Sequence, residues 1–236
     1  MPLPLVMVLK KDTVDKVNND ISSKFTWRNA IANCNGMEKP AIREINQLQQ
    51  TFIFPTPLWI YHSNKEDHNL LKKVEKWAYK LQKQDKEGRQ VSNVDGWQSH
   101  SYGDIQNQFW FTYLQTKING LPSFEYQNYW VSINTKGSLN LSHTHPGSDL
   151  SLVCYITDTF DSGITFVTPE IQSRYSLYST IALPEEVGIH GNRGDIIIFP
   201  SDLVHNVEKM KQNEKRISIS MNLTLNCNEL KALNKK

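Results

Sequence analysis

The histidines His143 and His145, separated by one threonine, are the residues of this 236-residue sequence best placed to bind a metal ion together. Residues i and i+2 of a β-strand point to the same face, about 6.5 Å apart at Cα, so two imidazoles at this spacing can converge on one ion. The turn residues Pro146 and Gly147 follow directly, which places the pair at a strand end. Such a pair also arises by chance or for packing, so its meaning depends on what the fold brings beside it.

A third imidazole is supplied by His205, which follows the apolar run GDIIIFPSDLV and lies 60 residues beyond His145 (205 − 145 = 60). The antiparallel strands of a jelly roll return beside one another across the sandwich. A histidine near a strand start is often structural. After a His-x-His pair at this spacing, we expect His205 to be the third ligand.

Arg216 lies eleven residues after His205 (216 − 205 = 11) in a strand whose apolar residues alternate with polar ones. A guanidinium facing into a β-barrel is costly without an anionic partner. Its planar fork can hold a carboxylate through two parallel hydrogen bonds. Ser218, on the same face, can add another donor. The alternative is that this polar face meets solvent.

Short β-strands are predicted throughout the C-terminal part of the chain, separated by turn sequences such as Asp161-Ser162-Gly163. The predicted strands are 124–134, 138–143, 150–157, 164–168, 195–200, 204–210 and 217–225. Many short strands without intervening helices predict a mainly β fold with flanking helices, a double-stranded β-helix (jelly roll, cupin-like).

The elements before these strands predict the domain limits. Apolar residues at steps of three and four predict a helix over 64–83, with Ser63 or Asn64 as N-cap, and a second helix is predicted over 105–118. TFIFPTPLWIY, from Thr51, predicts an entering strand broken by prolines. We therefore expect an N-terminal extension over 1–50, the β domain over 51–226 and a tail over 227–236.

Composition excludes several kinds of partner. The 26 basic and 24 acidic residues leave a net charge of +2, which gives no signal for nucleic acid or membrane binding. The three cysteines are far apart, which favours a reducing compartment, the cytoplasm. The start, MPLPLVMVLKK, lacks the features of a signal peptide, and no stretch approaches the roughly 20 apolar residues of a membrane span.

Taken together, these motifs resemble the Fe(II)/2-oxoglutarate-dependent oxygenases, and more closely a branch found in bacteria and phages. The resemblance rests on SHTHPGSDLSLVCYI, GITFVTPE, GDIIIFPSDLVHNV and RISISMN, with FPTPLW and GWQS before them, and covers about residues 51–226. It implies Fe(II), the small molecule 2-oxoglutarate as cosubstrate, and hydroxylation of an unknown substrate with release of succinate and CO2. For a phage-encoded protein, the expected location is the host cytoplasm.

The resemblance also assigns roles to individual residues. It makes His143, His145 and His205 the metal ligands and, with Arg216, the catalytic set. Arg216 is expected to bind the distal carboxylate of 2-oxoglutarate. The expected cofactor-binding residues are Arg216, Ser218, Asn134, Asn140 and Tyr155, while Trp97, Gln98, Ser99 and His100 are candidates for the substrate side.

His145 departs from the family pattern, because most members have an aspartate at its position. Asp149 could supply the carboxylate instead if the Pro-Gly turn folds back. Two other readings remain: a cupin-like three-histidine metal enzyme without 2-oxoglutarate, and a non-enzymatic jelly roll that serves in binding or as a viral structural protein. A dependence of 2-oxoglutarate binding on Arg216 separates the first alternative from the oxygenase, and iron binding separates the second.

Overall fold

The computed structural model describes residues 48–53, 56–121, 123–169 and 186–226. The predicted C-terminal tail lies outside these ranges, and so does the predicted N-terminal extension except for residues 48–50. Among the described helices, none combines the length and the apolar character needed to cross a bilayer.

Short strands make up most of the described chain, and two α-helices precede the long central strands. The strands are β1 (Leu48–Ile53), β2 (Thr56–Tyr61), β3 (Asn93–Val94), β4 (Trp97–Gln98), β5 (Phe124–Asn134), β6 (Leu139–His143), β7 (Leu150–Tyr155), β8 (Ile164–Val167), β9 (Glu186–Ile189), β10 (Ile196–Pro200), β11 (His205–Val207) and β12 (Arg216–Leu225). The helices are α1 (His68–Gln84) and α2 (Phe111–Lys117), each preceded by a short 3-10 helix, Lys65–Asp67 and Ile105–Asn107.

Two antiparallel sheets carry these strands. One has seven strands in the order β1-β2-β10-β7-β12-β5-β4, and the other has five in the order β3-β6-β11-β8-β9. Several neighbours in each sheet, such as β10 beside β7 and β11 beside β6, come from distant parts of the chain, as in a jelly roll. The predicted fold class, mainly β with flanking helices and a jelly-roll topology, is confirmed.

The seven-stranded sheet buries its outer face against the helices. The polar-apolar alternation of β12 puts Ile217, Ile219 and Met221 on one face, where each is almost completely buried. They share one apolar cluster with α1 residues such as Leu71 and α2 residues such as Leu114. Each buried side chain of this size contributes about 1.5–3 kcal/mol. The polar side chains of β12 therefore point the other way, toward the second sheet.

A second apolar cluster lies on the inner side of the sheets. It contains Tyr155 from β7, Phe166 from β8 and Phe199 from β10, with five other buried residues. The rings of Phe166 and Phe199 meet edge to face, with centroids 5.0 Å apart. This cluster forms an apolar boundary beside the polar side chains of β12.

The helices differ in detail from the sequence prediction. The predicted helix over 64–83 begins as the 3-10 helix, and Asn64 accepts the N–H of Glu66 at 3.1 Å, so it caps that turn rather than α1. Ser63 does not cap α1, because Asp67 holds the N-cap position of that helix and the hydroxyl of Ser63 donates to the carbonyl of Asn64 at 3.1 Å. The helix predicted over 105–118 is interrupted at Gln108, whose backbone is extended (φ −81°, ψ 133°).

Candidate metal centre

The three predicted metal ligands meet at one point of the fold. The ligand nitrogens of His143, His145 and His205 all lie within 4.8 Å of one another. His143 ends β6 and His205 begins β11, and the two residues are direct partners in the antiparallel pairing of these strands. Their ring centroids are 4.3 Å apart. His145 lies beyond the end of β6, where its N–H donates to the carbonyl of Ser201 at 2.8 Å.

Hydrogen bonds at Nδ1 fix the same tautomer in all three rings. Nδ1 of His143 lies 2.7 Å from the carbonyl oxygen of Leu141, and Nδ1 of His205 lies 2.8 Å from that of Leu203. A carbonyl oxygen only accepts, so each Nδ1 carries the proton and each Nε2 keeps its lone pair. The lone pairs of the Nε2 atoms are therefore available to a metal ion, which would replace the 3.5 Å contact between Oγ of Ser92 and Nε2 of His143.

The orientation of His145 depends on side chains rather than on a carbonyl. Its Nδ1 lies 2.8 Å from Oδ1 of Asn222 and 2.8 Å from Oγ of Ser151. Nδ2 of Asn222 donates to Oδ1 of Asn128 at 3.2 Å, which turns Oδ1 of Asn222 toward the imidazole. Metal-binding histidines commonly have such a partner, which sets the ring orientation.

Burial keeps the imidazoles neutral. Removal from water, together with a smaller effect of the neighbouring histidines, lowers the pKa of His145 to about 4 and that of His205 to about 3. The pKa of His143 is also lowered, mainly by burial. Neutral imidazoles are the form that binds metals, so all three rings are ready as ligands near pH 7.

Asp149, the alternative carboxylate ligand, is not brought to the three histidines. Its side chain is exposed, and Oδ2 accepts the N–H of Leu225 at 2.8 Å. Among the described residues, the cluster of potential metal ligands contains histidines alone.

Arg216 lies in the same cavity as the histidines. This cavity has a volume of about 330 Å³ and is lined by His143, His145, His205, Arg216 and Ser218, among others. Arg216 is only 3% exposed, and Nη1 donates to the carbonyl of Ser162 at 2.7 Å. Its Nε has no partner within the described residues. A buried, charged guanidinium with an unused donor is the arrangement that an anionic ligand would complete.

The three remaining candidates for cofactor binding, Asn140, Asn134 and Tyr155, differ in whether they line the cavity. Asn140 lines the cavity, whereas Asn134 and Tyr155 are not among its lining residues. Asn134 is the β-sheet partner of Arg216, and its Nδ2 donates to Oδ1 of Asn140 at 3.3 Å. Tyr155 is 1% exposed, and its hydroxyl has no partner within the described residues. Burial raises the pKa of Tyr155 to about 12, so this hydroxyl keeps its proton.

The donor atoms suit the groups that the sequence predicted. Three neutral imidazoles are good ligands for a first-row transition metal such as iron. The unpaired Nε of Arg216, together with the hydroxyl of Ser218 in the cavity lining, provides donors for a carboxylate. The residues present therefore fit both an iron ion and a dicarboxylate.

The polar wall of the cavity was only partly anticipated. Of Trp97, Gln98, Ser99 and His100, only Gln98 lines the cavity. Trp97 and Ser99 are buried elsewhere, and His100 is exposed. Sequence reasoning missed Trp130, whose ring lies 5.3 Å from that of His145. The signal was present, because residues 128, 130, 132 and 134 share one face of β5.

A protein-family model matches the part of the chain that holds the candidate metal site. Residues 128–222, which run from β5 to β12 and contain the whole histidine-arginine cluster, match a family described as "Putative 2OG-Fe(II) oxygenase". This match confirms the resemblance to the iron(II)/2-oxoglutarate oxygenases. The family description names both predicted cofactors. No curated protein matches the chain.

Solved structures share the fold at low sequence identity. A non-haem α-ketoglutarate-dependent carbocyclase, SnoK from nogalamycin biosynthesis, superposes with a TM-score of 0.53 at 12% identity, covering 71% of this chain and 79% of its own. The epimerase SnoN, in complex with Fe3+, α-ketoglutarate and nogalamycin RO, superposes with a TM-score of 0.50 at 13% identity, covering 71% and 78%. At this level of sequence identity, the two superpositions show a shared fold and nothing further.

Proposed function

We propose that this protein is a non-haem Fe(II)- and 2-oxoglutarate-dependent oxygenase that hydroxylates a small-molecule substrate and releases succinate and CO2. The observation that carries the proposal is the presence, in one cavity, of three imidazoles within 4.8 Å of one another and of a buried arginine. The three imidazoles can hold a metal ion, and the arginine can hold a dicarboxylate. The buried, unpaired thiol of Cys154 and an Fe(II) ion both suit the reducing cytoplasm.

In this proposal, each residue has a defined task. His143, His145 and His205 hold the iron through Nε2, and the iron supplies the oxidising chemistry that side chains lack. Arg216 binds the distal carboxylate of 2-oxoglutarate through Nε, and Ser218 donates beside it. The carbonyl of Ser162 holds Nη1 in place.

Charge balance supports the assignment of Arg216. A guanidinium this deeply buried is expensive unless an anion compensates its charge, and none of the described residues that line the cavity is acidic. The carboxylate of 2-oxoglutarate would provide that compensation and would also satisfy Nε.

A three-histidine metal enzyme without 2-oxoglutarate is the second candidate. The lack of a carboxylate in the described ligand cluster favours it, because three neutral ligands differ from the usual pair of histidines and one carboxylate. In such an enzyme, Arg216 would have to bind an anionic group of the substrate itself. Binding of 2-oxoglutarate that depends on Arg216 therefore separates the two candidates.

Anaerobic titration with Fe(II) and 2-oxoglutarate tests the proposal. We expect the weak visible charge-transfer band of the iron chelate in the wild type and its loss at the same concentrations in Arg216→Ala. Arg193→Ala is the matched control, because Arg193 pairs with Glu75 at 2.8 Å outside the cavity. Folded, iron-loaded wild-type protein without the band would contradict the proposal, and an unchanged band in Arg216→Ala would remove the role of that residue.

A further inference from the structure

One wall of the metal cavity has polar groups that neither the metal nor the proposed cosubstrate uses. Gln98 on β4 and Ser132 on β5 are direct sheet partners, and each is 6% exposed. Both line the cavity, and their side-chain polar atoms are not among those that are closed off from solvent without a partner. No hydrogen bond joins either side chain to another described residue. An amide and a hydroxyl that open into the cavity in this way can hydrogen-bond to a molecule bound there.

Trp130 adds an aromatic surface to this wall. It lies two residues from Ser132 on the same face of β5, and its ring approaches that of His145 edge to face, with centroids 5.3 Å apart. A molecule that contacts Trp130 would therefore lie next to a proposed metal ligand. This is where the reacting part of a substrate belongs.

Arg89 gives the mouth of the cavity a positive charge. It lines the cavity, is exposed, and makes no ion pair with the described residues. The lining residues in the described ranges include no aspartate or glutamate, so a cationic group that enters the cavity finds no opposite charge on them. An anionic group, by contrast, would meet a free guanidinium.

The loop that carries Arg89 is fixed to the cavity wall. The N–H of Arg89 donates to the carbonyl of Gln98 at 2.7 Å, and Nε1 of Trp97 donates to the carbonyl of Asp85 at 2.8 Å. Gly88 has φ +62°, and a Cβ there would lie 2.4 Å from the Gln98 carbonyl oxygen, so only glycine allows this contact. The loop therefore holds the backbone of Arg89 directly beside Gln98.

The size of the cavity limits what can enter. Its volume of about 330 Å³ is at the low end of the roughly 300–1,000 Å³ of small-molecule sites, and 2-oxoglutarate must occupy part of it. Only a small substrate, or a short part of one, fits beside the cosubstrate.

We propose that the substrate is a small polar acid whose carboxylate or phosphate binds Arg89, while Gln98 and Ser132 hydrogen-bond to its polar groups beside Trp130. This inference rests on the proposed function, because it takes the remainder of the cavity to be filled by iron and 2-oxoglutarate. It makes Arg89 the residue that selects acids over neutral molecules and amines.

Succinate formation from 2-oxoglutarate, measured with the full chain loaded with Fe(II), tests this selection. The probes form two sets, each sharing a carbon skeleton and differing in charge: glucuronate, glucose 6-phosphate, glucose and glucosamine; and N-acetylleucine, its amide and leucine amide. In at least one set we expect an acid to stimulate succinate formation about ten-fold more than its neutral and cationic counterparts, the effect of one charge-assisted hydrogen bond. The first set separates carboxylate from phosphate.

Variants assign this preference to the proposed residue. Arg89→Gln should remove the advantage of the acid, whereas Lys86→Gln, an exposed cation of the same loop outside the cavity lining, should retain it. An amine that stimulates best, no response to any acid, or an acid preference that survives Arg89→Gln would overturn the inference. The charge-transfer band of the iron chelate is recorded first. Its absence contradicts the proposed function, whereas its presence without an acid preference contradicts this inference alone.

Discussion

At the scale of single residues, His145 is the ligand whose environment distinguishes this site. Most members of the family that this sequence resembles have an aspartate at its position. The proposed metal centre therefore has one negative charge fewer than a centre of two histidines and one carboxylate. Nδ1 of His145 contacts two side chains, Asn222 and Ser151, whereas the other two imidazoles use main-chain carbonyls. Side chains of β7 and β12 therefore set the orientation of the unusual ligand.

Replacement of Asn222 should weaken metal binding. Asn222→Leu removes the acceptor at 2.8 Å from Nδ1 of His145, so the imidazole loses orientation. Outer partners of metal ligands typically contribute 10- to 100-fold in affinity, and we expect about ten-fold because Ser151 can still accept. A chelator competition assay with Fe(II) measures the change. Thr224→Val is the control, since its hydroxyl lies two residues along β12 without a partner among the described residues; equal losses in both variants would contradict the role of Asn222.

At the scale of elements, the site depends on strand pairing and not on the helices. The direct pairing of β6 with β11 places His143 opposite His205, and β12 supplies Arg216, Ser218 and Asn222 from one face. The helices α1 and α2 cover the opposite face of the seven-stranded sheet. Stability and metal binding should therefore respond to different substitutions.

A cavity in the helix layer should lower stability without changing the metal site. Leu71 of α1 is 1% exposed within the apolar cluster under β12. Leu71→Ala should lower the free energy of unfolding by about 2–5 kcal/mol, as large-to-small substitutions in packed cores do. Urea unfolding of the metal-free protein measures this loss. The Fe(II) affinity of Leu71→Ala should stay within a factor of two of the wild type. The control Asn69→Ala, at an exposed position of α1, should change neither the free energy of unfolding nor the Fe(II) affinity. A loss of Fe(II) affinity in Leu71→Ala that parallels its loss of stability would show that the helix positions the site.

At the scale of the whole molecule, pH should affect stability through buried tyrosines. Tyr126 packs edge to face with Phe111 and Phe124, and its hydroxyl has no partner within the described residues. Burial raises the pKa of Tyr126 to about 12, compared with 10.0 for a free tyrosine. The unfolded chain therefore loses this proton first, so stability is complete below pH 10 and falls as pH rises toward 12.

Thermal unfolding between pH 9 and 12 checks this dependence. Tyr126→Phe keeps the ring contacts and removes the titrating group, so its melting temperature should fall less steeply than that of the wild type. At pH 7 the variant should be at least as stable, because an unpaired buried hydroxyl is removed. Parallel melting curves across this pH range would contradict the assignment.

The sequence predicted most of the architecture because the strands carry a period-two pattern. The alternation in β12 predicted the strand and put Arg216 on its polar face, but left open whether that face points inward. The jelly-roll pairing predicted the return of His205 to His143. Interruptions were harder to predict. The extended backbone at Gln108 divides the second helix, and the four-residue strand β9 carries no comparable pattern.

Hydrogen bonds and wall contacts between distant side chains that belong to no motif were beyond sequence reasoning. The Asn222–Asn128 hydrogen bond joins residues 94 positions apart, and two amides at that separation carry no pattern that links them. The cavity wall formed by Gln98 and Ser132 likewise depends on the pairing of β4 with β5. Such contacts arise from tertiary packing, which local residue spacing does not encode.

A crystal structure of the protein grown under argon with Fe(II) and 2-oxoglutarate, with anomalous scattering recorded at the iron edge, tests the central claim most directly. We predict one iron bound by Nε2 of His143, His145 and His205, with a carboxylate of 2-oxoglutarate on Arg216. An iron peak bound by other residues, or a 2-oxoglutarate carboxylate that does not contact Arg216, would contradict it.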